Sequence, residues 1–275
     1  MRSRRFGPLD ASVPVFGIGT WKMEHDDRAD VIAAIRRAVE LGMTHVDTAE
    51  LYGSGRVETL VGEALAGLRD RVFLVSKVLP RNASYEGTLH ACEQSLVRLK
   101  TGHLDCYLLH WRADEPLAET FRAFEKLREQ GKIRAWGVSN FDDNDLGEAQ
   151  VLVGEGVIAC NQVLYHLKDR TIEERIIPWC DDHRVAVVAY SPFGSGDFPR
   201  SGVLDDIAAR HRATPRQVAL AFLARDSNSF VIAKSSNAAH IDELAGAAAV
   251  TLAADDVRAI ESAFPRDAWR GLPTL

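Results

Sequence analysis

Short apolar runs alternate with amphipathic segments along the chain, and this alternation predicts strands that are each followed by a helix. Several of the runs contain no polar positions, as expected of strands that are buried on both faces. The predicted strands are residues 16–18, 45–47, 72–75, 104–109, 133–138, 158–163, 185–190 and 230–233.

Apolar positions three or four residues apart predict helices between these strands. The sets are Val31, Ile35, Val39; Val57, Val61, Leu65; Leu89, Cys92, Leu96, Leu99; Leu117, Phe121, Phe124, Leu127; and Ile241, Leu244, Ala248. We expect Gly42 and Gly102 to end the first and third helices in a left-handed conformation. Thr214 followed by Pro215 is typical of a helix start.

Eight strand and helix pairs in 275 residues average about 34 residues each, which suits a βαβ unit repeated into a closed barrel. An open doubly wound sheet would need G-x-G-x-x-G after its first strand, and residues 17–22 lack the third glycine. The pattern therefore favours an α/β fold, a single (β/α)8 TIM barrel, with one domain over residues 1–275.

Composition narrows the class of protein. Apolar residues make up 46% and charged residues 26%, which is typical of a soluble globular protein. A net charge of -6 argues against nucleic acid or an anionic membrane as partner. The chain has no apolar stretch of membrane-spanning or signal-peptide length, so we expect it in the cytoplasm. Its four cysteines follow no zinc or disulfide spacing, and we expect no metal and mostly buried, reduced thiols.

Polar residues stand at the carboxyl ends of the predicted strands. In a (β/α)8 barrel these ends meet at one mouth, where the chemistry takes place. Asp47, Lys77, His110 and Asn140 follow one another at intervals of 30, 33 and 30 residues, one for each repeat.

Lys77 lies within an apolar strand, so its buried ammonium needs a carboxylate, for which Asp47 is the natural partner. A charged lysine stabilises a phenolate, so it should lower the pKa of Tyr52, five residues after Asp47. His110 is suited to donating a hydrogen bond to a substrate carbonyl. Taken singly, each residue has a structural explanation. Four of them at one end of successive strands favour a catalytic site.

Five segments resemble signatures of the aldo-keto reductase family, and the resemblance covers nearly the whole chain. They are residues 45–53, 75–78, 108–111, 131–141 and 161–166. Trp136 and the ending Tyr165-His166 look most like the small bacterial members that reduce methylglyoxal and other short aldehydes. The resemblance implies a barrel that binds extended NADPH, with Asp47, Tyr52, Lys77 and His110 as catalytic residues.

The resemblance also implies where the cofactor lies: its carboxamide on Ser139, Asn140 and Gln162, its nicotinamide against Tyr190, and its 2′-phosphate on residues 234–236. The expected cofactor contacts are Gly19, Thr20, Asp47, Ser139, Asn140, Gln162, Tyr190, Ser191, Pro192, Phe193, Gly194, Lys234, Ser235, Ser236, His240 and Glu243. His240 stands where the family commonly has an arginine that grips the phosphate. Histidine is only partly charged at neutral pH, so NADPH is favoured with weaker discrimination against NADH.

Trp21 and Trp111 are expected to wall the substrate site beside Tyr52 and His110. The connection from His110 to Pro116 is short, and 11 residues follow Phe264, so a small carbonyl substrate is favoured. Trp269 could close over the site or remain exposed.

Two alternatives stay open: a nonenzymatic regulatory subunit that binds NADPH, and an aldolase that uses a neutral Lys77 as a Schiff-base amine. A monomer is the family default.

Overall fold

A closed barrel of eight parallel strands forms the centre of the computed structural model, which describes residues 1–274 and leaves Leu275 outside the described residues. Two short strands precede the barrel. The strands are β1 (Ser3–Arg5), β2 (Ser12–Pro14), β3 (Phe16–Gly19), β4 (His45–Asp47), β5 (Phe73–Val78), β6 (Leu104–Leu109), β7 (Ile133–Ser139), β8 (Cys160–Leu164), β9 (Ala186–Tyr190) and β10 (Ser229–Lys234).

Helices surround the barrel on its outer face. They are α1 (Arg28–Glu40), α2 (Arg56–Ala64), α3 (Tyr85–Leu99), α4 (Leu117–Glu129), α5 (Asp143–Val153), α6 (Ile172–Asp182), α7 (Gly202–His211), α8 (Pro215–Leu223), α9 (Ala238–Gly246) and α10 (Ala254–Ala263). None of them, within residues 1–274, is long and apolar enough to cross a membrane.

The strand order confirms the predicted (β/α)8 barrel. Strands β3 to β9 pair in sequence, and β10 closes the ring between β9 and β3. Each predicted strand is present, with ends that differ by up to a few residues. The four cysteine thiols are free and buried, as expected.

Helix ends agree with the sequence at two positions and disagree at a third. Gly42 has a φ of 86°, and Thr214 forms a capping box with Gln217 at the start of α8. The prediction for Gly102 is wrong. Helix α3 stops at Leu99, so the left-handed position falls on Lys100, with a φ of 53° and an amide bonded to the carbonyl of Leu96.

The sequence pattern did not predict the hairpin of β1 and β2, which closes the amino-terminal end of the barrel. Its turn carries Phe6, whose fully buried ring packs against His45, Phe73 and Phe230. Gly7 follows with a φ of 56°, and a Cβ there would lie 2.1 Å from a backbone oxygen of Ala159. The turn therefore seals this end of the barrel by close backbone approach.

Candidate active site

A cavity of about 570 Å³ opens at the carboxyl ends of the barrel strands. Most of the predicted site residues line it. They are Gly19, Thr20, Trp21, Asp47, Tyr52, His110, Trp111, Ser139, Asn140, Gln162, Tyr190, Ser191 and Lys234. The parallel barrel brings these residues together from strands that are distant in sequence.

Lys77 lies beneath the cavity and is completely buried. Its Nζ donates to Asp47 Oδ1 at 2.6 Å, to the backbone oxygen of Thr48 at 2.9 Å and to the hydroxyl of Tyr52 at 3.2 Å. Burial is the largest single effect and opposes the charge on the ammonium, but the interactions with Asp47 and Tyr52 together outweigh it and raise the pKa of Lys77. Lys77 is therefore a charged hydrogen-bond donor to Tyr52.

The phenol of Tyr52 stays protonated in this site. Burial raises its pKa and outweighs the opposing effect of Lys77, with Asp47 acting in the same direction as burial. The expectation of a lowered pKa is therefore wrong: the ammonium acts in the predicted direction, but desolvation of the phenolate is the larger effect. The result is a neutral O–H that lines the cavity.

His110 stands beside Tyr52, with ring centroids 5.9 Å apart. Burial, with a smaller contribution from Lys77, lowers its pKa to about 2. Its Nδ1 is buried and has no hydrogen-bond partner among the described residues. The ring is therefore neutral and carries a single N–H.

Asp47 connects the two sides of the barrel. Its Oδ1 accepts from Lys77 on β5, and its Oδ2 accepts from the side-chain amide of Gln162 on β8 at 2.7 Å. The backbone oxygen of Asp47 accepts from the hydroxyl of Thr20 at 2.9 Å. The sequence pattern did not predict the contact with Gln162, because the two residues are 115 positions apart.

A second group of hydrogen bonds orders the wall opposite Tyr52. The hydroxyl of Ser139 donates to the backbone oxygen of Gln162 at 2.9 Å, and the Asn140 amide donates to the backbone oxygen of His110 at 3.1 Å. Tyr190 donates to Asn140 Oδ1 at 2.9 Å. These hydrogen bonds fix the orientation of the side chains of Ser139, Asn140 and Tyr190.

Of the cofactor contacts predicted between residues 234 and 243, Lys234 lines the cavity, whereas Ser235, Ser236, His240 and Glu243 do not. Lys234 donates to the carboxylate of Asp26 at 2.5 Å, and the hydroxyl of Ser236 donates to the same oxygen. The hydroxyl of Ser235 donates locally to the backbone oxygen of Asn237. On α9, His240 is exposed, and Glu243 accepts from Thr214. Asp26 was not among the predicted residues.

The loop after β9 reaches the cavity through Ser191, whereas Pro192, Phe193 and Gly194, which had also been predicted as cofactor contacts, do not line it. Pro192 is buried in this loop, and Gly194 takes a left-handed conformation with a φ of 65°. The ring of Phe193 meets that of Phe198 at 5.6 Å, beneath the guanidinium of Arg216.

The tryptophans occupy different places. Trp21 and Trp111 line the mouth, and the Trp111 ring lies 4.8 Å from that of His110. Trp269 packs instead against the guanidinium of Arg175 on α6 and does not line the cavity, which Thr274 reaches.

Comparison with known proteins agrees with this geometry. The family model described as "Aldo/keto reductase family" matches residues 15–264. The chain belongs to the aldo-keto reductase family. This aldo-keto reductase is 44% identical to methylglyoxal reductase YeaE of Escherichia coli over 263 residues, 93% of each chain. It is 34% identical to the glyoxal reductase of Bacillus subtilis, over 76% of this chain and 74% of that one.

Solved structures extend the comparison. An aldo-keto reductase from Klebsiella pneumoniae in complex with NADPH has a TM-score of 0.94 and 39% identity, and all of each chain is covered. A Klebsiella pneumoniae aldo/keto reductase with NADP and acetate has a TM-score of 0.93 and 41% identity, over 100% of this chain and 99% of that one. The resemblance seen in the five segments is confirmed at the level of family and fold.

Some cavity-lining residues had not been predicted for this aldo-keto reductase, and Arg112 and Asp145 are the charged ones. Arg112 lines the cavity next to Trp111 and forms ion pairs with Asp145 at 2.8 Å and Glu148 at 2.6 Å. Its position directly after Trp111 was the available signal. The two carboxylates neutralise this cation at the entrance.

Proposed function

We propose that this aldo-keto reductase uses NADPH to reduce small aldehydes and ketones, methylglyoxal among them, to alcohols. The observation that carries the proposal is the hydrogen bond of 3.2 Å from Lys77 to a protonated Tyr52 at the floor of the cavity. The names of the relatives, methylglyoxal reductase and glyoxal reductase, support the substrate class.

The residues present fit an extended dinucleotide. Side-chain amides of Asn140 and Gln162 lie beside Tyr190 near the catalytic end of the cavity, where they suit a carboxamide and an aromatic ring. Lys234 also lines the cavity, and together with Ser236 it already holds an anionic oxygen, that of Asp26. A cation with a hydroxyl is chemically suited to a phosphate. The complexes of the Klebsiella proteins with NADPH and NADP support this choice.

The chain's own residues supply the proton and the electrostatic environment. When bound, the reduced nicotinamide supplies a hydride to the carbonyl carbon. Tyr52 gives its proton to the carbonyl oxygen as negative charge develops there. The ammonium of Lys77 stabilises the phenolate that remains, and Asp47 keeps that ammonium charged. The N–H of neutral His110 donates to the same substrate oxygen and orients it.

The two alternatives lose support from this geometry. A Schiff-base aldolase needs a neutral amine, and Asp47 raises the pKa of Lys77. A binding subunit without catalysis has no need for the ordered set of Asp47, Tyr52, Lys77 and His110. We further propose a monomer that acts as one domain in the cytoplasm, without nucleic acid or membrane partners and without a metal.

The shape of the mouth supports a small substrate. Trp21 and Trp111 offer flat apolar walls, but Trp111 is 37% exposed and the tail places Trp269 elsewhere. A bulky substrate would therefore find too little surface to bury it.

The test is a panel of carbonyl compounds with NADPH and NADH in parallel, followed by loss of the near-ultraviolet absorbance of the reduced cofactor. We expect methylglyoxal and aromatic aldehydes to have higher kcat/KM than steroids, and NADPH to be preferred. A steroid reduced more efficiently than every small aldehyde would contradict the proposed substrate class. Trapping of a Lys77 adduct by borohydride, without cofactor, would favour the aldolase instead.

A further inference from the structure

An acidic side chain, that of Asp26, binds the same residues to which we assign the 2′-phosphate. Asp26 lies in the loop between β3 and α1, 208 positions before Lys234. Its Oδ2 is 2.5 Å from Lys234 Nζ and also accepts from the hydroxyl of Ser236. The contact joins the loop before α1 to the carboxyl end of β10, where Lys234 lines the cavity.

The position of Asp26 is not explained by the helix that follows. The adjacent Asp27 caps α1 by accepting from the amides of Ala29 and Asp30. Asp26 contributes only its amide locally, to the backbone oxygen of Met23. The neighbouring aspartates therefore have different partners: one serves the helix, and the other serves Lys234 and Ser236.

The contact is also one that a ligand can replace. The side chains of Lys234 and Asp26 are 35% and 31% exposed, so water reaches both. An ion pair this exposed contributes little to stability. Burial opposes ionisation of Asp26, but hydrogen bonds from Lys234 and Ser236 outweigh it and lower the carboxyl pKa. Near neutral pH the phosphate-binding cation thus faces a full negative charge from its own chain.

We propose that Asp26 determines cofactor specificity by competing with the 2′-phosphate for Lys234 and Ser236. NADP(H) must displace the carboxylate, because two anions cannot share one cation and one hydroxyl without repulsion. NAD(H) has a 2′-hydroxyl, which can donate to Asp26 while the ion pair stays in place. Acidic residues accept from this hydroxyl in other dinucleotide sites. The inference rests on the proposed function, since it assumes that the phosphate binds at Lys234.

The experiment measures dissociation constants of NADP⁺ and NAD⁺ by tryptophan fluorescence quenching in Asp26→Asn and Asp26→Ala. We expect NADP⁺ to bind more tightly in both variants and NAD⁺ to bind equally or more weakly. The preference for NADP⁺ should rise about 5- to 20-fold. Adenosine 2′,5′-bisphosphate carries the 2′-phosphate but no nicotinamide. Calorimetric titration should show that its affinity rises by the same factor in the Asp26 variants. A change below about twofold in both variants would overturn the inference.

Asp242→Asn is the matched control. Asp242 lies on α9, where it pairs with Arg37 at 2.7 Å, and its loss removes one negative charge near the same loop without touching Lys234. Its effect on the preference should stay below about twofold. An effect equal to that of Asp26→Asn would mean that general charge, and not competition, is responsible.

Lys234→Met separates failure of this inference from failure of the proposed function. A selective loss of NADP⁺ affinity in Lys234→Met, with unchanged preference in Asp26→Asn, would reject only the role of Asp26. Equal losses for both cofactors in Lys234→Met would reject the phosphate assignment itself. Thermal unfolding of each variant verifies that the barrel is intact.

Discussion

The two ends of the barrel bury the same kind of side chain for different purposes. At the amino-terminal end, His45 lies among the rings of Phe6, Phe73 and Phe230. At the carboxyl-terminal end, His110 lies beside Tyr52 at the floor of an open cavity. Burial lowers the pKa of His45 to about 4 and that of His110 to about 2. Both rings are therefore neutral at physiological pH.

A shifted pKa thus does not by itself distinguish a functional histidine from a packed one. His45 has both ring nitrogens unpartnered among the described residues, and aromatic rings surround it. Only two positions later on the same strand, Asp47 lies at the carboxyl-terminal end of the barrel, where its partners are Lys77 and Gln162. The difference lies in the neighbours: apolar rings at one end, and ordered donors facing a cavity at the other.

The largest expected effect is on catalysis at the carboxyl-terminal end. Tyr52→Phe removes the proposed proton donor, so kcat should fall by about 10²- to 10⁴-fold while the dissociation constant of NADPH changes little. Steady-state and single-turnover kinetics measure this. Tyr85→Phe is the matched control, because Tyr85 lies on α3 beneath Arg122 and away from the cavity. Wild-type turnover in Tyr52→Phe would contradict the assignment of Tyr52 as the proton donor.

The next effect concerns stability at the sealed end. Phe6→Ala removes a completely buried ring from the aromatic cluster and should lower the free energy of unfolding by about 3–5 kcal/mol. Because the site lies at the other end, kcat of the folded variant should stay within about twofold of wild type. Phe6→Leu should lower the free energy of unfolding by less, because leucine fills more of the space than alanine. A kcat loss as large as that of Tyr52→Phe would show that the ends are not independent.

A smaller effect links His45 to acid stability. The unfolded chain takes up a proton at this histidine near pH 6.5, whereas the folded chain does so only near pH 4. Stability is therefore complete above about pH 6.5 and is lost as the pH falls towards 4. Between pH 7 and 5, His45 should account for about 2 kcal/mol of the loss.

The variant His45→Phe isolates this contribution. It retains a flat ring and removes the two unpartnered nitrogens, so its denaturant midpoint should fall less between pH 7 and 5 than that of the wild type. An identical pH dependence in both proteins would mean that His45 is protonated in the folded state.

The smallest expected effect concerns His110 and the pH dependence of the reaction rate, which we expect to be nearly flat. Because burial keeps His110 neutral, the single-turnover rate should vary by less than about twofold between pH 6 and 8. A titration near pH 6.5 that disappears in His110→Gln would identify the imidazole as a proton donor. In that case the division of roles between Tyr52 and His110 would have to be reversed.

The features that were predictable from the sequence follow from local pattern and from the symmetry of the barrel. The strands are visible as apolar runs, and Asp47, Lys77 and His110 meet because each lies within one residue of the carboxyl end of a strand. The raised pKa of Tyr52 was not predictable, because the direction of the shift depends on the balance between burial and the charge of Lys77.

Contacts between segments that are distant in sequence were also missed. Asp26 and Lys234 belong to no shared motif, and nothing in the pattern of residues 3–14 indicates that Phe6 fills the end of the barrel. Lys100 replaced Gly102 as the left-handed residue because the helix ended two positions earlier than the glycine suggested.

The hairpin that carries Phe6 has a consequence for the order of folding. Phe6 needs Phe230, and Arg4 donates to the backbone oxygens of Ala224, Asp226 and Ser229, more than 200 positions later. The hairpin therefore acquires its partners only after more than 200 further residues have been synthesised. Contacts of such long sequence separation form slowly. We expect the hairpin to stay undocked until β10 has been synthesised, and β10 to complete the ring and seat the hairpin in one cooperative step.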